Sequence, residues 1–361
     1  MSFERDNIRR MQGYASGEQP DDDRTIKLNT NESPYPPAPA VQDVLNSFDP
    51  ASLRRYPPPT ANAFRDIAAT LHGVERENLI ATRGGDELLR LLITTFVDPG
   101  QHIAMSSPTY SLYPVLAQIQ DCPILQIPLG DDWGLAEDFC QQVNAQNAKL
   151  TLIVNPHAPS GRLMHRDQIA YLAANLDSVL LVDEAYIDFV DPHLNHNCLS
   201  LIQQFDNLVF LRTLSKGYGL AGLRFGYGIA TATLIQPMLE KTRDSYNLDL
   251  LSQTIAGAAL QAQSYAQYTW QQVRLERQRM IVALQHMGLT SADSQANFLL
   301  TQVPPNRALN AANLYLALKA DGILVRYFDQ PRLNDKLRLT IGTPNENDQL
   351  LACLAKHLSV I

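Results

Sequence analysis

The chain of 361 residues has little cysteine, no long apolar run and no surplus of positive charge. Its four cysteines, Cys122, Cys140, Cys198 and Cys353, stand far apart with no C-x-x-C pair. That spacing argues against a disulfide framework or a zinc ribbon, and it fits a reducing cytoplasm. No stretch of about 18 apolar residues occurs, so no transmembrane helix is expected. The opening MSFERDNIRRMQG has no apolar signal core, and its arginines are mixed with Glu4 and Asp6, unlike a transit peptide. Lysine and arginine number 29 against 37 acidic residues, a formal net charge of -8. Attraction to a phosphate backbone or an anionic membrane needs clustered cations, so neither nucleic acid nor membrane is an expected partner. Any phosphate bound here must be met by a local pocket. Repeats, low-complexity tracts, G-x-S-x-G and P-loop motifs are all missing.

What is present is the composition of a globular chain, 45% hydrophobic and 18% charged. The length suits one large domain and a smaller one. Proline-rich connections lie at 33–39 and 56–59. From about residue 60 the pattern alternates: ANAFRDIAATLH reads as a helix, ENLIAT as a strand and GGDELLRLLITTF as a helix. QHIAMSS, KLTLIVN, SVLLVDE and NLVFLRT are runs rich in Val, Ile and Leu, as suits strands buried on both faces of a parallel sheet. Helical patterns between them, such as 163–176, predict an α/β domain with helices on both faces. After residue 250 comes a long helical stretch with a break, then strands NFLLTQV, ILVRYF and LRLTIG, with a last helix over 346–358. These predict a separate α+β domain, with the boundary in the range 240–265.

Ligands of open α/β sheets collect beyond the carboxyl ends of the strands. Lys216 stands there, ahead of Gly217, Gly219 and Gly222. Crowding and nearby cations would lower its pKa, as suits an amine that attacks a carbonyl; otherwise it is a surface lysine. Arg224, Thr213 and Ser215 offer a guanidinium and hydroxyls, a phosphate cup. An amine beside a phosphate cup matches a cofactor with an aldehyde and a phosphate, namely pyridoxal phosphate. Asp183 ends the run SVLLVD, where it would pair with a pyridinium N–H or cap a helix. Asn155 and Tyr186 are placed to reach the ring oxygen, although Asn155 also reads as an Asn-Pro turn. Gly84-Gly85-Asp86-Glu87 opens a helix whose free N–H groups suit phosphate, and Tyr110 offers a ring for stacking. The glycines at 217, 219 and 222 also match G-x-G-x-x-G, but RTLSK separates them from the strand and no acid ends a following strand. His193 and His196 form H-x-x-H in a polar loop without a third ligand, so no metal is expected.

These residues resemble the fold-type I pyridoxal-phosphate-dependent aminotransferases, and within them the branch that acts on histidinol phosphate. The resemblance covers nearly the whole chain. It is carried by LNTNESPYPPAP, RYPPP, RGGDELLRLL, SPTYSLY, NPHAPSG, VDEAYIDF, RTLSKGYGLAGLRFGY, GILVRYF and LRLTIGTPNEN. It implies a large α/β domain with a mostly parallel central sheet over 41–250, a smaller α+β domain over 251–361, and an arm over 1–40 near the active site. It implies transamination of histidinol phosphate with 2-oxoglutarate, or else activity on aromatic amino acids or a threonine-phosphate decarboxylase. By the same resemblance Lys216 holds the cofactor's aldehyde, Asp183 its ring nitrogen, Asn155 and Tyr186 its ring oxygen, and Tyr110 its face. Gly85, Asp86, Thr213, Ser215 and Arg224 hold its phosphate, with Glu87 grouped among the cofactor contacts. Tyr56 reaches the cofactor of a neighbouring subunit, which implies a homodimer with shared sites. Tyr14, Asn31, Arg326 and Arg338 serve the substrate. The chain departs from the family pattern at His157, Ser160 and Tyr327. A non-enzymatic sensor reading would need a basic DNA-binding domain, for which residues 1–30 are too short.

Overall fold

The computed structural model describes residues 2–22, 24–305 and 309–358. Seven strands form the central sheet: β1 Leu79–Thr82, β2 Ile103–Ser107, β3 Ile124–Pro128, β4 Leu150–Val154, β5 Val179–Asp183, β6 Leu208–Thr213 and β7 Gly226–Ala230. Their order is β1-β7-β6-β5-β4-β2-β3. Strands β2 to β6 run parallel to their neighbours among themselves, and β7 is antiparallel to both β1 and β6. The sheet is therefore mixed but mostly parallel. The sequence reading marked neither β3, a partly exposed strand at the sheet edge, nor β7, because GYGIA is short and glycine-rich.

Period two explains why the apolar runs are nearly continuous. In β6, Val209 and Leu211 pack on one face while Leu208 and Phe210 pack on the other. In β4, Leu152 and Val154 join the first core and Ile153 the second. Both faces are dry, so both parities must be apolar. Helices Gly84–Phe96 and Leu112–Ile119 contribute to the first face. Helices Asn62–His72 and Arg166–Asn175 contribute to the second.

The long helical stretch does break, at Ala262, between Leu250–Gln261 and Gln263–His286. The first of these packs on the helices of the large layer and the second on the small domain's strands. The small domain has a four-stranded antiparallel sheet, ordered Arg326–Tyr327, Lys336–Thr340, Phe298–Gln302, Thr290–Ser291. Helices Ala311–Ala320 and Pro344–Leu358 complete it. Near the start of the chain, Ile26–Lys27 pairs in parallel with Ile323–Leu324, so residues 28–37 pass between the two bodies. No described helix is long and apolar enough to cross a membrane.

Candidate active site

The parallel strands end at Ser107, Val154, Asp183 and Thr213, and beyond these ends lies a cavity of about 810 Å³. The large sheet supplies its floor, residues 29–31 one wall, and Arg326, Phe328 and Arg338 of the small domain another.

Lys216 sits three residues past the end of β6, half-buried, and its Nζ donates to the carbonyl of Thr30 at 2.9 Å. Burial, with the charge of Arg338 adding to it, pulls its pKa down to about 8. Roughly a tenth to a quarter of the amine is thus neutral between pH 7 and 7.5, against about one part in a thousand for an ordinary lysine, as a nucleophile or base requires. In cofactor-free protein, labelling of Lys216 by an amine-reactive reagent is expected to reach half its maximal rate near pH 8, because the reactive form is the deprotonated one. Peptide mass spectrometry across a pH series measures it, and a midpoint above pH 10 would contradict the assigned environment.

Asp183 ends β5 almost fully buried. Its Oδ2 accepts from the Tyr113 hydroxyl at 2.9 Å and its Oδ1 from the Ala185 N–H at 3.0 Å. Burial raises its pKa to about 6, against the pull of those two hydrogen bonds. Tyr186 is buried beside it, and its hydroxyl accepts from Asn31 Nδ2 at 3.0 Å. Thr340 and Asn297 fix Asn31 in turn. Lys216 Nζ lies 5.9 Å from the centroid of the Tyr186 ring.

At the other end, Thr213, Ser215 and Arg224 converge. Thr213 Oγ1 donates to Ser215 Oγ at 3.0 Å, and Arg224 Nη1 reaches Ser215 Oγ at 3.5 Å. Arg224 Nη2 lies 3.3 Å from Asp86 Oδ2, with both groups nearly half exposed, so the pair itself adds little stability. Gly84 and Gly226 make this corner possible. A Cβ at Gly84, where φ is +74°, would meet Arg224 Nη2 at 2.9 Å. A Cβ at Gly226 would meet the Gly84 carbonyl carbon at 2.7 Å. Strand β7 can therefore press against the start of the helix Gly84–Phe96, whose first N–H groups have no intrahelical partner. Those N–H groups, two hydroxyls and a guanidinium suit a phosphate dianion.

Tyr110 lies along the cavity, with ring centroids 6.1 Å from Tyr14 and 5.5 Å from Tyr113, both edge-on. Arg326 and Arg338 stand directly opposite each other on adjacent antiparallel strands. Phe328 lies under both guanidiniums, at 5.2 and 5.5 Å. Burial lowers the pKa of Arg338, and the charge of Arg326 lowers it further. Like charges facing across a ladder destabilise the sheet unless an anion joins them. Among the described residues no carboxylate pairs with either. Buried Arg338 Nε and Thr109 Oγ1 also lack partners there, which fits polar ligand atoms arriving in this cavity.

Three sequence assignments need correction or comment. Asn155 does not face the cavity. Its Nδ2 donates to the Met164 carbonyl at 3.1 Å and its Oδ1 accepts from the Met164 N–H at 2.7 Å. A buried amide satisfied in this way is a turn anchor, and the methyl of Ala158 lines the cavity nearby. Glu87 is also outside the cavity, because its carboxylate accepts from the Arg83 N–H and from Asn247 Nδ2. Tyr56 is 80% exposed and stacks on Tyr246 at 4.5 Å, clear of this chain's own cavity. Of the departures, His157 is buried between Ser160 Oγ and the Pro108 carbonyl, behind the wall, with burial lowering its pKa to about 4. Tyr327 points away from the cavity and stacks on Tyr315. Sequence reasoning missed Thr30, Thr109 and Tyr113. Tyr113 stands in SPTYSLY three residues after Tyr110, a helix-period spacing that was available as a signal.

The comparisons with known proteins follow the same lines. Over 354 residues the chain is 39% identical to a histidinol-phosphate aminotransferase of Trichormus variabilis, covering 98% of each. It is 39% identical over 350 residues to one of Microcystis aeruginosa, covering 97% of each. A solved histidinol-phosphate aminotransferase of Sinorhizobium meliloti, in complex with pyridoxal-5'-phosphate, superposes with a TM-score of 0.86 at 25% identity, over 92% of this chain and 90% of that one. The family model for aminotransferase class I and II matches residues 23–354. With that match laid over the cavity just described, the chain belongs to the class I and II aminotransferases.

Proposed function

We propose that this chain moves the amino group of L-histidinol phosphate to 2-oxoglutarate, giving imidazole acetol phosphate and L-glutamate, with pyridoxal 5'-phosphate as cofactor. The observation that carries the substrate choice is the facing pair Arg326 and Arg338 at the cavity wall. Two guanidiniums on one face suit a phosphate dianion in one half-reaction and a carboxylate in the other. Full-length relatives of that name support the same reading.

The donor set fits the cofactor. Lys216 is the amine for its aldehyde, Asp183 the acid for its ring nitrogen, and Tyr186 the donor to its ring oxygen. Gly85, Asp86, Thr213, Ser215 and Arg224 would hold its phosphate, and Tyr110 would stack on its ring. When bound, pyridoxal phosphate supplies a carbonyl that couples to amines and a ring that accepts the electron pair left at the substrate Cα. The chain's residues do the rest. Lys216 Nζ takes the Cα proton as general base, aimed by the Thr30 carbonyl. Asp183 holds a proton at the ring nitrogen by charge. Asn31 orients the Tyr186 hydroxyl. Arg326 and Arg338, with Tyr14 at the edge, hold the substrate's anionic end.

A panel of amino donors with purified enzyme tests the reading. Histidinol phosphate is expected to exceed phenylalanine and tyrosine in kcat/KM by roughly 10- to 100-fold, the worth of one charge-assisted hydrogen bond. Threonine phosphate is the control for the alternative chemistry: release of carbon dioxide from it without 2-oxoglutarate would overturn the transaminase assignment.

Exposed Tyr56 supports a second part of the proposal, a homodimer in which each subunit's Tyr56 reaches its partner's phosphate. Sedimentation at twice the chain mass is expected, and Tyr56→Phe is expected to weaken cofactor binding roughly 2- to 10-fold. A monomer whose cofactor affinity ignores the substitution would refute it. Four buried thiols with no disulfide among them fit work in the reducing cytoplasm.

A further inference from the structure

The two last helices of the small domain meet at a polar knot away from the cavity. Asp321 caps the helix Ala311–Ala320, and Cys353, Lys356 and His357 lie on one face of Pro344–Leu358. The spacings i, i+3 and i+4 bring these three side chains together. All converge on one atom. Asp321 Oδ2 accepts from Cys353 Sγ at 3.1 Å, Lys356 Nζ at 2.8 Å and His357 Nε2 at 2.8 Å. The sulfur, the imidazole nitrogen and a carboxylate oxygen all lie within 4.8 Å of one another. The sequence hides this group, because Asp321 is remote from the Cys-x-x-x-His pair along the chain.

We propose that Asp321, Cys353 and His357 form a binding site for a divalent transition metal, with zinc the best match. The donors are one thiolate, one imidazole and one carboxylate, the mixture that zinc accepts in a tetrahedron with a fourth position for water. Bonds of about 2.0–2.3 Å place tetrahedral ligand atoms about 3.3–3.7 Å apart. The contacts from Asp321 to sulfur and to nitrogen need open by only about half an ångström to reach that range. The pair on one helical turn is pre-positioned by that helix, and Asp321 is anchored by the end of another. Binding replaces the Cys353 thiol proton by the metal and releases that proton to solvent, so no oxidant or reductant is needed. Because the metal takes the place of that proton, loading should strengthen as pH rises. Bound metal would staple the last helix to the one before it.

A second three-residue group, Glu184, His196 and Cys198, is less suited. Glu184 is already joined to Arg212 at 2.7 Å in a buried pair, and a dication would have to displace or face that guanidinium.

Cobalt titration of the full chain, followed by visible absorption, tests the proposal. We expect one Co²⁺ per chain with a thiolate-to-metal band, displaced by Zn²⁺. Cys353→Ser should abolish the band, and Cys198→Ser should leave it. Outer-shell changes alone cost metal sites 10- to 100-fold, so His357→Gln should weaken binding by about tenfold or more. Lys356→Gln should tighten it, because the ammonium competes for the same carboxylate oxygen. Far-UV circular dichroism and transaminase activity, both expected to be unchanged, check that each variant is folded. No thiolate band in the parent chain, a band that survives Cys353→Ser, or Lys356→Gln and His357→Gln that behave alike would overturn the site.

Discussion

Lys216→Ala is expected to lower kcat/KM for transamination by roughly four orders of magnitude, the upper end of what a positioned acid–base group supplies. The other cations lining the cavity cannot replace the lysine. Arg224, Arg326, Arg332 and Arg338 carry guanidiniums, which stay protonated across the working pH range and so cannot accept a proton from carbon. Asp183 is committed to Tyr113 and Ala185, and the Tyr186 hydroxyl is held by Asn31. Lys216 combines a pKa pulled down to about 8, within reach of working pH, with an orienting contact from its Nζ to the Thr30 carbonyl. The damage should be specific. The change leaves Arg326 and Arg338, the proposed holders of the substrate's anionic end, in place, so KM for the phosphate substrate should move far less than kcat. Small primary amines added to the assay should restore part of the rate by occupying the space the side chain leaves. Steady-state activity within tenfold of the parent enzyme, without added amine, would remove Lys216 from its role.

How much of this was visible in the sequence differs between fold and site. The inner parallel strands were legible because two-faced burial writes continuous apolar runs, as in LTLIV and LVFLRT, whereas the partly exposed edge strand Ile124–Pro128 was not. Gly226–Ala230 was not, since its glycines answer to close contact with Gly84 and Leu88 rather than to strand propensity. Lys216, Asp183 and Arg224 were legible because strand ends and the glycine-rich turn after β6 announce where a ligand sits. Asn155 was misread for a related reason. The sequence places it at a strand end, but it does not say that its amide is spent on Met164, eight residues beyond Pro156. Strand alternation does carry information that was there to use: Arg326 and Phe328 face the cavity, so Tyr327 between them must face away.

Asp183→Asn is expected to reduce kcat by about three orders of magnitude, the scale on which a single preorganised electrostatic contact acts in a water-poor site. Asparagine keeps the shape of the side chain and can still accept from the Ala185 N–H, but it removes the negative charge. Asp183 would then no longer supply the anion that keeps a proton on the ring nitrogen of the bound cofactor, the condition for the ring to accept electrons. The pH dependence separates this from a packing defect. With its pKa raised to about 6, Asp183 is ionised above that value and loses its charge as pH falls through it. Affinity of the cofactor-free protein for the cofactor should therefore drop as pH is lowered through about 6 in the parent chain, and this limb should be missing in Asp183→Asn. Stability should move the opposite way. An acid whose folded pKa lies above its unfolded value binds more protons when folded, so its ionised form burdens the fold at neutral pH. Cofactor-free Asp183→Asn should accordingly unfold at a higher temperature than the parent at pH 7.5 while turning over far more slowly. A variant that is both slower and less stable would mean that Asp183 serves the packing around Tyr113 rather than the chemistry.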